Sequence, residues 1–126
     1  WHHVGAYHED RRAYKTAAPV TTWQKANEAY LLHREPIANI GVVWSQQNMD
    51  FYGRDDADER VQLPWRGMTQ ALIRARIPYL PVHVDQIARD ANKFRLLILP
   101  NLASVSDTQL DAIRKFTGNG GNIILR

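Results

Sequence analysis

Hydrophobic residues after Pro36 are concentrated in four short runs, at positions 40–44, 79–83, 95–99 and 122–125. Near-continuous apolar runs of this length are typical of strands that a parallel sheet buries on both faces. The segments between the runs carry apolar residues at helical spacing, so strands and helices alternate along the chain. This order predicts an α/β fold: a parallel sheet of about four strands with right-handed crossovers and helices on both faces.

The second run contains Pro81, which indicates its place in the sheet. Proline has no N–H to donate to a neighbouring strand, so it is tolerated at a sheet edge. We therefore predict the flavodoxin-like strand order 2-1-3-4, with the second strand at one edge. The fourth run stops near the last residue, Arg126, whereas a covering helix normally follows a strand buried on both faces. We accordingly expect the fold to be incomplete at its C-terminal side.

Helix signals lie between the runs. Pro64 suits the first turn of a helix after the first strand, and the apolar residues that follow it share one face. These residues are Trp65, Met68, Leu72 and Ala75. A short helix is expected over 85–91. Ser106 and Gln109 have the spacing of a capping box at the start of the last helix, and the glycines of 118–121 suit its C-terminal cap.

The N-terminal part of the chain has a different pattern. Residues 1–20 are aromatic, His-rich and charged without a clear period, which predicts an irregular arm. Thr21 or Thr22 is expected to cap a helix that runs to about His33. Pro36 disfavours helical geometry in the residue before it, so the helix ends there. The aromatic residues expected on one face of this helix are Trp23 and Tyr30.

Composition and charge argue against some classes of function. The chain has 126 residues, of which 44% are hydrophobic and 23% charged, as in an ordinary globular domain. We divide it into an arm and linker helix at 1–36 and an α/β domain at 37–126. The net charge of +3 comes from scattered residues, so nucleic-acid binding is not expected. No apolar run approaches the length of a membrane span, and no membrane association is expected.

Cysteine is absent, which excludes disulfides and thiolate metal sites within these residues. The absence leaves the compartment open, with the cytoplasm favoured. The arm contains metal-ligand types in His2, His3 and His8, close to Glu9 and Asp10. No regular element fixes their spacing, so a surface that contacts a partner is the favoured interpretation.

Ligands of open α/β sheets bind beyond the carboxyl ends of the strands, which points to the long polar segment 45–63. We expect this loop to be partly ordered around Phe51–Gly53. Its acidic run, 55–59, lacks the spacing of a calcium loop and indicates a solvated segment. Asp50 is the nearest candidate for a glycosidase carboxylate but lies well into the loop. The turn 45–48 has no glycine for a phosphate cradle. We assign no catalytic, metal or cofactor-binding residue.

Three stretches of the sequence carry a resemblance to a known family. They are REPIANIGVVWS at 34–45, RLLILPNLASVSD at 95–107 and FTGNGG at 116–121. Together they resemble the trimerisation domain of family-42 β-galactosidases and related glycoside hydrolases, over about residues 34–126. The segment 48–65 is longer and more acidic than the family pattern, which leaves the sugar specificity and the oligomer size open.

The resemblance implies a fold like that of class I glutamine amidotransferases, packed between subunits of a homo-oligomer, a trimer in the family. It implies that a catalytic barrel with two catalytic carboxylates precedes this domain in the same polypeptide and is absent from this chain. The domain also helps to wall the active site for a carbohydrate substrate. By this resemblance the chain is a fragment of a β-galactosidase-like glycoside hydrolase that acts as a non-catalytic accessory and oligomerisation domain.

Two groups of residues are candidates for the interface or the active-site wall. They are Trp1, His2 and His3 in the arm, and Phe51, Tyr52, Arg54 and Asp55 in the first loop. Two alternatives stay open. One is an amidotransferase-like hydrolase, whose cysteine nucleophile would follow the fourth strand. The other is a flavodoxin-like domain that binds a small molecule.

Overall fold

A computed structural model describes residues 12–125. These residues form two compact units, the first ending at Glu35 and the second beginning at Pro36. The first unit holds helices α1 (Arg12–Ala26) and α2 (Glu28–Leu31). The second unit contains, in chain order, β1 (Ile40–Trp44), α3 (Leu63–Arg74), β2 (Leu80–His83), α4 (Ile87–Asp90), β3 (Leu96–Leu99), α5 (Asp107–Gly118) and β4 (Asn122–Leu125).

Helix α1 starts earlier than the sequence pattern predicts. The expectation of an irregular arm over 1–20 is wrong for residues 12–20, which are helical. This segment is rich in alanine, the residue with the highest helix propensity, and Pro19 is accommodated inside the helix. Residues 1–11 lie outside the described part of the chain, and so does the predicted arm of aromatic and histidine residues.

The predicted threonine caps are also wrong, because Thr21 and Thr22 both lie inside α1. The Thr21 hydroxyl donates instead to the carbonyl of Ala18, 3.0 Å away in the preceding turn. Threonine side chains often bond to the preceding turn when they lie within a helix. The predicted aromatic face is exposed, since Trp23 keeps 60% and Tyr30 keeps 74% of its accessible surface.

The four strands form one parallel sheet in the order β2-β1-β3-β4. The predicted α/β class and the flavodoxin-like order are therefore confirmed. Pro81 lies on β2, which has a neighbouring strand on one side only, and it is in register with Val42 of β1. An edge strand is where the missing proline N–H disturbs the ladder least.

Helices cover both faces of the sheet, because successive residues of a strand point to opposite sides. Val43 and Leu97 pack on one face in a core that includes Phe116 of α5. Val42 points to the other face, where it packs with Leu72 of α3. This two-sided packing explains why the central strands have nearly continuous apolar sequences.

Strand β4 is more exposed than its apolar sequence predicts. Ile123 packs against the core that contains Phe116, but Ile124 remains 44% exposed and Leu125 68% exposed. The physical reason is that β4 is an edge strand, with β3 as its neighbour in the sheet.

The predicted caps of the last helix are confirmed. The Ser106 side chain accepts from the backbone N–H of Gln109, and the Gln109 side chain accepts from the backbone N–H of Ser106. At the other end, Gly120 has a φ of 91°, the left-handed conformation that favours glycine. The next residue, Gly121, lies so close to the Phe116 ring that an added Cβ would be 2.4 Å from two of its carbons.

The segment 45–63 is not the loop that the sequence predicts. It forms consecutive helical turns, over Asn48–Gly53, Arg54–Asp56 and Asp58–Gln62, that lead directly into α3. Gly53 itself is helical, and the positive φ of this segment, 46°, falls on Arg54. Arg60 forms an ion pair with Asp56, one helical turn earlier, at 2.9 Å, and this pair supports the helical turns.

Candidate functional site

A cavity of about 480 Å³ opens at the carboxyl edge of the sheet, beside the ends of β1 and β3. The chain passes from β1 to β2 on one side and later reaches β3 on the other. This is the switch point at which open α/β sheets bind ligands. We call it the switch-point cavity, and it is lined by Val43, Trp44, Ser45, Asn48, Met49, Val61, Gln62, Trp65, Arg66, Pro81, Pro100 and Leu102.

Asn48 holds the two sides of this edge together. Its side chain is 1% exposed, and its Nδ2 donates to the carbonyl of Asn101 at 3.1 Å. Its Oδ1 accepts from the backbone N–H groups of Ala103 and Ser104, at 2.9 and 2.8 Å. The Asn48 N–H in turn donates to the Ser45 hydroxyl at 3.2 Å. One buried amide therefore ties the segment after β1 to the segment after β3.

A second set of contacts extends this connection outward. Asn101 has a φ of 46°, and its Nδ2 lies 3.4 Å from the Tyr52 hydroxyl and also donates to the Arg60 carbonyl. The Arg60 guanidinium lies over the Tyr52 ring, 5.9 Å from the ring centre. The helical turns after β1 are thus anchored to the segment after β3 at two successive points.

The charged residue on the cavity wall, Arg66, makes a local ion pair. Arg66 lies one helical turn after Gln62, and its Nη2 donates to the Gln62 Oε1 at 3.1 Å. The same Nη2 pairs with the carboxylate of Asp58. The guanidinium on the cavity wall therefore already has an anionic partner.

Two aromatic residues line the cavity wall, Trp44 at the end of β1 and Trp65 on α3. Trp44 ends β1 and contacts His83 of β2 edge to face, with ring centres 4.6 Å apart. The His83 Nδ1 accepts from the Asp85 N–H at 3.3 Å, and the Asp85 carboxylate accepts from Gln109 of α5 at 2.7 Å. These bonds fix the ring that Trp44 packs against.

Trp65, from the first turn of α3, has an unusual polar atom. Its Nε1 is buried and has no acceptor in the described part of the chain. Buried indole N–H groups usually find a partner. The same side chain packs against the core that includes Val42 and Leu72.

The clearest pKa shift is at Asp90 on α4, which does not line the cavity. A hydrogen bond from Arg89 at 2.7 Å is the main cause, and a bond from Lys93 at 2.8 Å adds to it. Together they lower the pKa of the Asp90 carboxyl to about 2. The same contact raises the pKa of the Arg89 guanidinium. This cluster contributes to stability near the end of α4 and has no geometric relation to the cavity.

The structure describes the candidates in the segment after β1 but not those in the arm. Trp1, His2 and His3 lie outside the described residues. Phe51 is 66% exposed and projects from the helical turns. Tyr52 is half-buried through its contacts with Asn101 and Arg60.

The other two candidates in this segment are on its outer surface. Arg54 and Asp55 are exposed, and the Arg54 Nε donates to the carbonyl of Phe51 at 3.2 Å. Neither lines the switch-point cavity. Their predicted role at an interface or an active-site wall stays a prediction.

The residues that build the cavity are not predicted from the sequence. Its patterns assign Trp44 and Trp65 only to a strand and a helix stripe, and Asn48 only to a polar turn. The sequence does indicate their position, because Trp44 and Asn48 flank the carboxyl end of the first strand and Trp65 belongs to the helix that follows it.

Among residues 12–125, no group of three or more His, Asp or Glu side chains is arranged to hold a metal ion. No helix in that range is long and apolar enough to cross a membrane.

Comparison with known proteins identifies a solved structure that has a similar fold. No family model and no curated protein sequence matches the chain. Among solved structures, the β-galactosidase from Bifidobacterium adolescentis shares the fold with a TM-score of 0.58 and 15% sequence identity. The match covers 70% of this chain and 39% of that chain, so this chain corresponds to less than half of the β-galactosidase structure. The fold is thus one that occurs as part of a larger glycoside hydrolase structure.

Proposed function

We propose that this chain is a non-catalytic accessory domain of a β-galactosidase-like glycoside hydrolase, with an oligomerisation role. The observation that carries the proposal is the shared fold with part of the bifidobacterial β-galactosidase. The motifs at 34–45 and 95–107 support it independently, because they resemble the trimerisation domain of such enzymes. The catalytic carboxylates belong in this proposal to a barrel elsewhere in the parent polypeptide.

The proposal assigns residues 1–36 to the connection with the barrel and residues 37–126 to the accessory domain. Exposed aromatic side chains in both parts are suited to such contacts, since aromatic residues are enriched at protein interfaces. Trp23 and Phe51 are the clearest examples, at 60% and 66% exposed. The parent is a homo-oligomer in this account, a trimer by resemblance, and its substrate is a carbohydrate.

An activity measurement on this chain and on the parent polypeptide tests whether the catalytic residues lie outside this chain. The chain itself is expected to have no hydrolytic activity on a chromogenic β-galactoside, whereas the parent polypeptide hydrolyses it. Turnover by this chain alone would contradict the non-catalytic role. An inactive parent would contradict the assignment to a β-galactosidase-like enzyme.

A second measurement asks whether the exposed part of the segment after β1 reaches the active site of the parent. Phe51→Ala and Asp55→Ala are expected to change kcat/KM, with Ile73→Ala as the matched control on an exposed site of α3. Unchanged kinetics in both variants would remove these residues from the active-site wall while leaving the oligomerisation role untouched.

The two alternative functions have their own tests. A flavodoxin-like nucleotide carrier would purify with the visible absorption of bound flavin. An amidotransferase-like hydrolase would release ammonia from glutamine in the full parent, and that activity would need a cysteine outside residues 1–126.

A further inference from the structure

We infer that the switch-point cavity binds a small uncharged ligand that has a flat apolar ring and a hydrogen-bond acceptor. This inference does not depend on the accessory role, because it rests on the cavity alone. The volume of about 480 Å³ lies in the range of about 300–1,000 Å³ typical of small-molecule sites. The cavity also lies at the switch point, where the strand order of this sheet predicts a ligand.

The lining selects a flat apolar ring. Trp44 and Trp65 supply aromatic surface, and Met49, Pro100 and Leu102 supply aliphatic surface around them. Sites of this composition bind their ligands mainly by removing apolar area from water. Aromatic walls further favour a planar ring, which gains from offset or edge-to-face packing against the indoles.

Three backbone N–H groups at this edge are not available to an anion. A phosphate at a switch point is normally held by N–H groups of the turns beyond the strands. Here the N–H groups of Ala103 and Ser104 donate to the Asn48 Oδ1, and the N–H of Asn48 donates to Ser45. An internal amide therefore occupies the positions of a phosphate oxygen, which disfavours a nucleotide or a flavin phosphate.

The charge on the cavity wall is likewise neutralised. Arg66 is the charged residue among those that line the cavity, and it is paired with Asp58 and bonded to Gln62. A bound carboxylate would share the Arg66 guanidinium with Asp58 and be repelled by that carboxylate, and a bound cation would be repelled by the guanidinium. An uncharged ligand avoids both costs.

One polar atom of the cavity wall indicates that the ligand carries a hydrogen-bond acceptor. The Trp65 Nε1–H is buried without an acceptor among the described residues, although its ring lines the cavity. A carbonyl or hydroxyl oxygen on a bound ring would satisfy this donor after a small movement of the wall. The buried amide of Asn48, which also lines the cavity, already has its bonds within the protein.

Benzamide and benzoate form the matched probes for this site, since they differ mainly in charge. The readout is the set of indole N–H resonances of the ¹⁵N-labelled full chain, assigned with single Trp→Phe variants. We expect benzamide to shift the Trp65 and Trp44 resonances saturably and to leave the exposed Trp23 resonance in place. Benzoate is expected to bind at least about tenfold more weakly, which is about 1.4 kcal/mol.

Two variants localise the binding. Met49→Trp fills the cavity and is expected to abolish the shifts, whereas the control Ile73→Trp, on an exposed site outside the cavity, retains them. Trp65→Phe keeps an aromatic ring but removes the donor, and it is expected to weaken benzamide binding by about threefold to tenfold. Circular dichroism of each variant verifies the fold.

Three results would overturn the inference. The first is the absence of any saturable shift up to the solubility limit of benzamide. The second is binding that survives in a folded Met49→Trp variant, which would place the ligand elsewhere. The third is equal affinity for benzoate, which would contradict a site for uncharged ligands.

Discussion

The side chain of Asn48 donates to the main-chain carbonyl of Asn101 across the carboxyl edge of the sheet, over 3.1 Å and a separation of 53 residues. The bond joins the segment after β1 to the segment after β3. It also explains why a polar residue is buried at this place, because the Asn48 amide has partners for both its donor and its acceptor. The cavity is shaped by this connection.

Asn48→Ala is therefore expected to destabilise the fold strongly. The substitution removes a buried amide and leaves the part-buried N–H groups of Ala103 and Ser104 and the carbonyl of Asn101 without their partner. We expect a loss of about 2–4 kcal/mol in the free energy of unfolding, measured by urea denaturation. Asn92→Ala, at an exposed position, is the control and is expected to change stability by less than about 0.5 kcal/mol. Equal stability of the two variants would contradict the role of Asn48.

Two glycines make a matched pair with opposite expected effects. An added Cβ at Gly121 would lie 2.4 Å from carbons of the Phe116 ring, whereas at Gly67 it would meet nothing within 4 Å. Gly121→Ala is expected to cost about 2–3 kcal/mol through overpacking. Gly67→Ala lies inside α3 and is expected to stabilise by about 0.5–1 kcal/mol, because alanine has the higher helix propensity.

Thermal unfolding of the two glycine variants checks this pair. The melting temperature is expected to fall for Gly121→Ala and to rise for Gly67→Ala. A fall in both would mean that α3 does not tolerate a side chain at Gly67, and a rise in both would contradict the close approach of Gly121 to Phe116.

Much of the fold is predictable from the sequence because the central strands and their helices follow local rules. The apolar runs and Pro81 predict the strand order, and the spacing of Ser106 and Gln109 predicts the start of α5. The helical turns of 45–63 were missed because an important part of their support comes from distant residues. Asn48 and Tyr52 are held by Asn101, which is about 50 residues away along the chain, at separations of 53 and 49 residues.

The same reason explains why the residues that line the cavity were not predicted, although its position beyond the carboxyl end of the first strand was. Trp65 is part of a regular apolar stripe, which indicates core packing, and nothing in the stripe distinguishes its unpaired Nε1. The start of α1 was missed for a different reason: residues 12–20 have no clear apolar period, although the alanines among them favour a helix.

The Asp90 cluster gives a prediction about pH. The pKa of Asp90 is lowered from 3.8 to about 2 in the folded state. A lowered folded pKa means that the carboxylate stabilises the fold above its unfolded pKa and loses that contribution as the pH falls through the folded pKa. The stabilising contribution of Asp90 is therefore lost as the pH falls from about 4 to about 2.

Asp90→Asn removes this contribution. At neutral pH the variant is expected to be less stable by about 1 kcal/mol, a value discounted because Arg89 and Lys93 are solvent-exposed. The gap between variant and wild type should close as the pH is lowered from about 4 to about 2. Urea denaturation at several pH values measures it, and a gap that stays constant over this window would contradict the assignment to Asp90.

The central claim is that residues 37–126 serve the assembly of a larger glycoside hydrolase. The most direct measurement is the molar mass, by light scattering, of the parent polypeptide with and without these residues. The account predicts an oligomer for the intact parent and a monomer for a folded parent lacking 37–126. The same oligomeric mass for both proteins would contradict it.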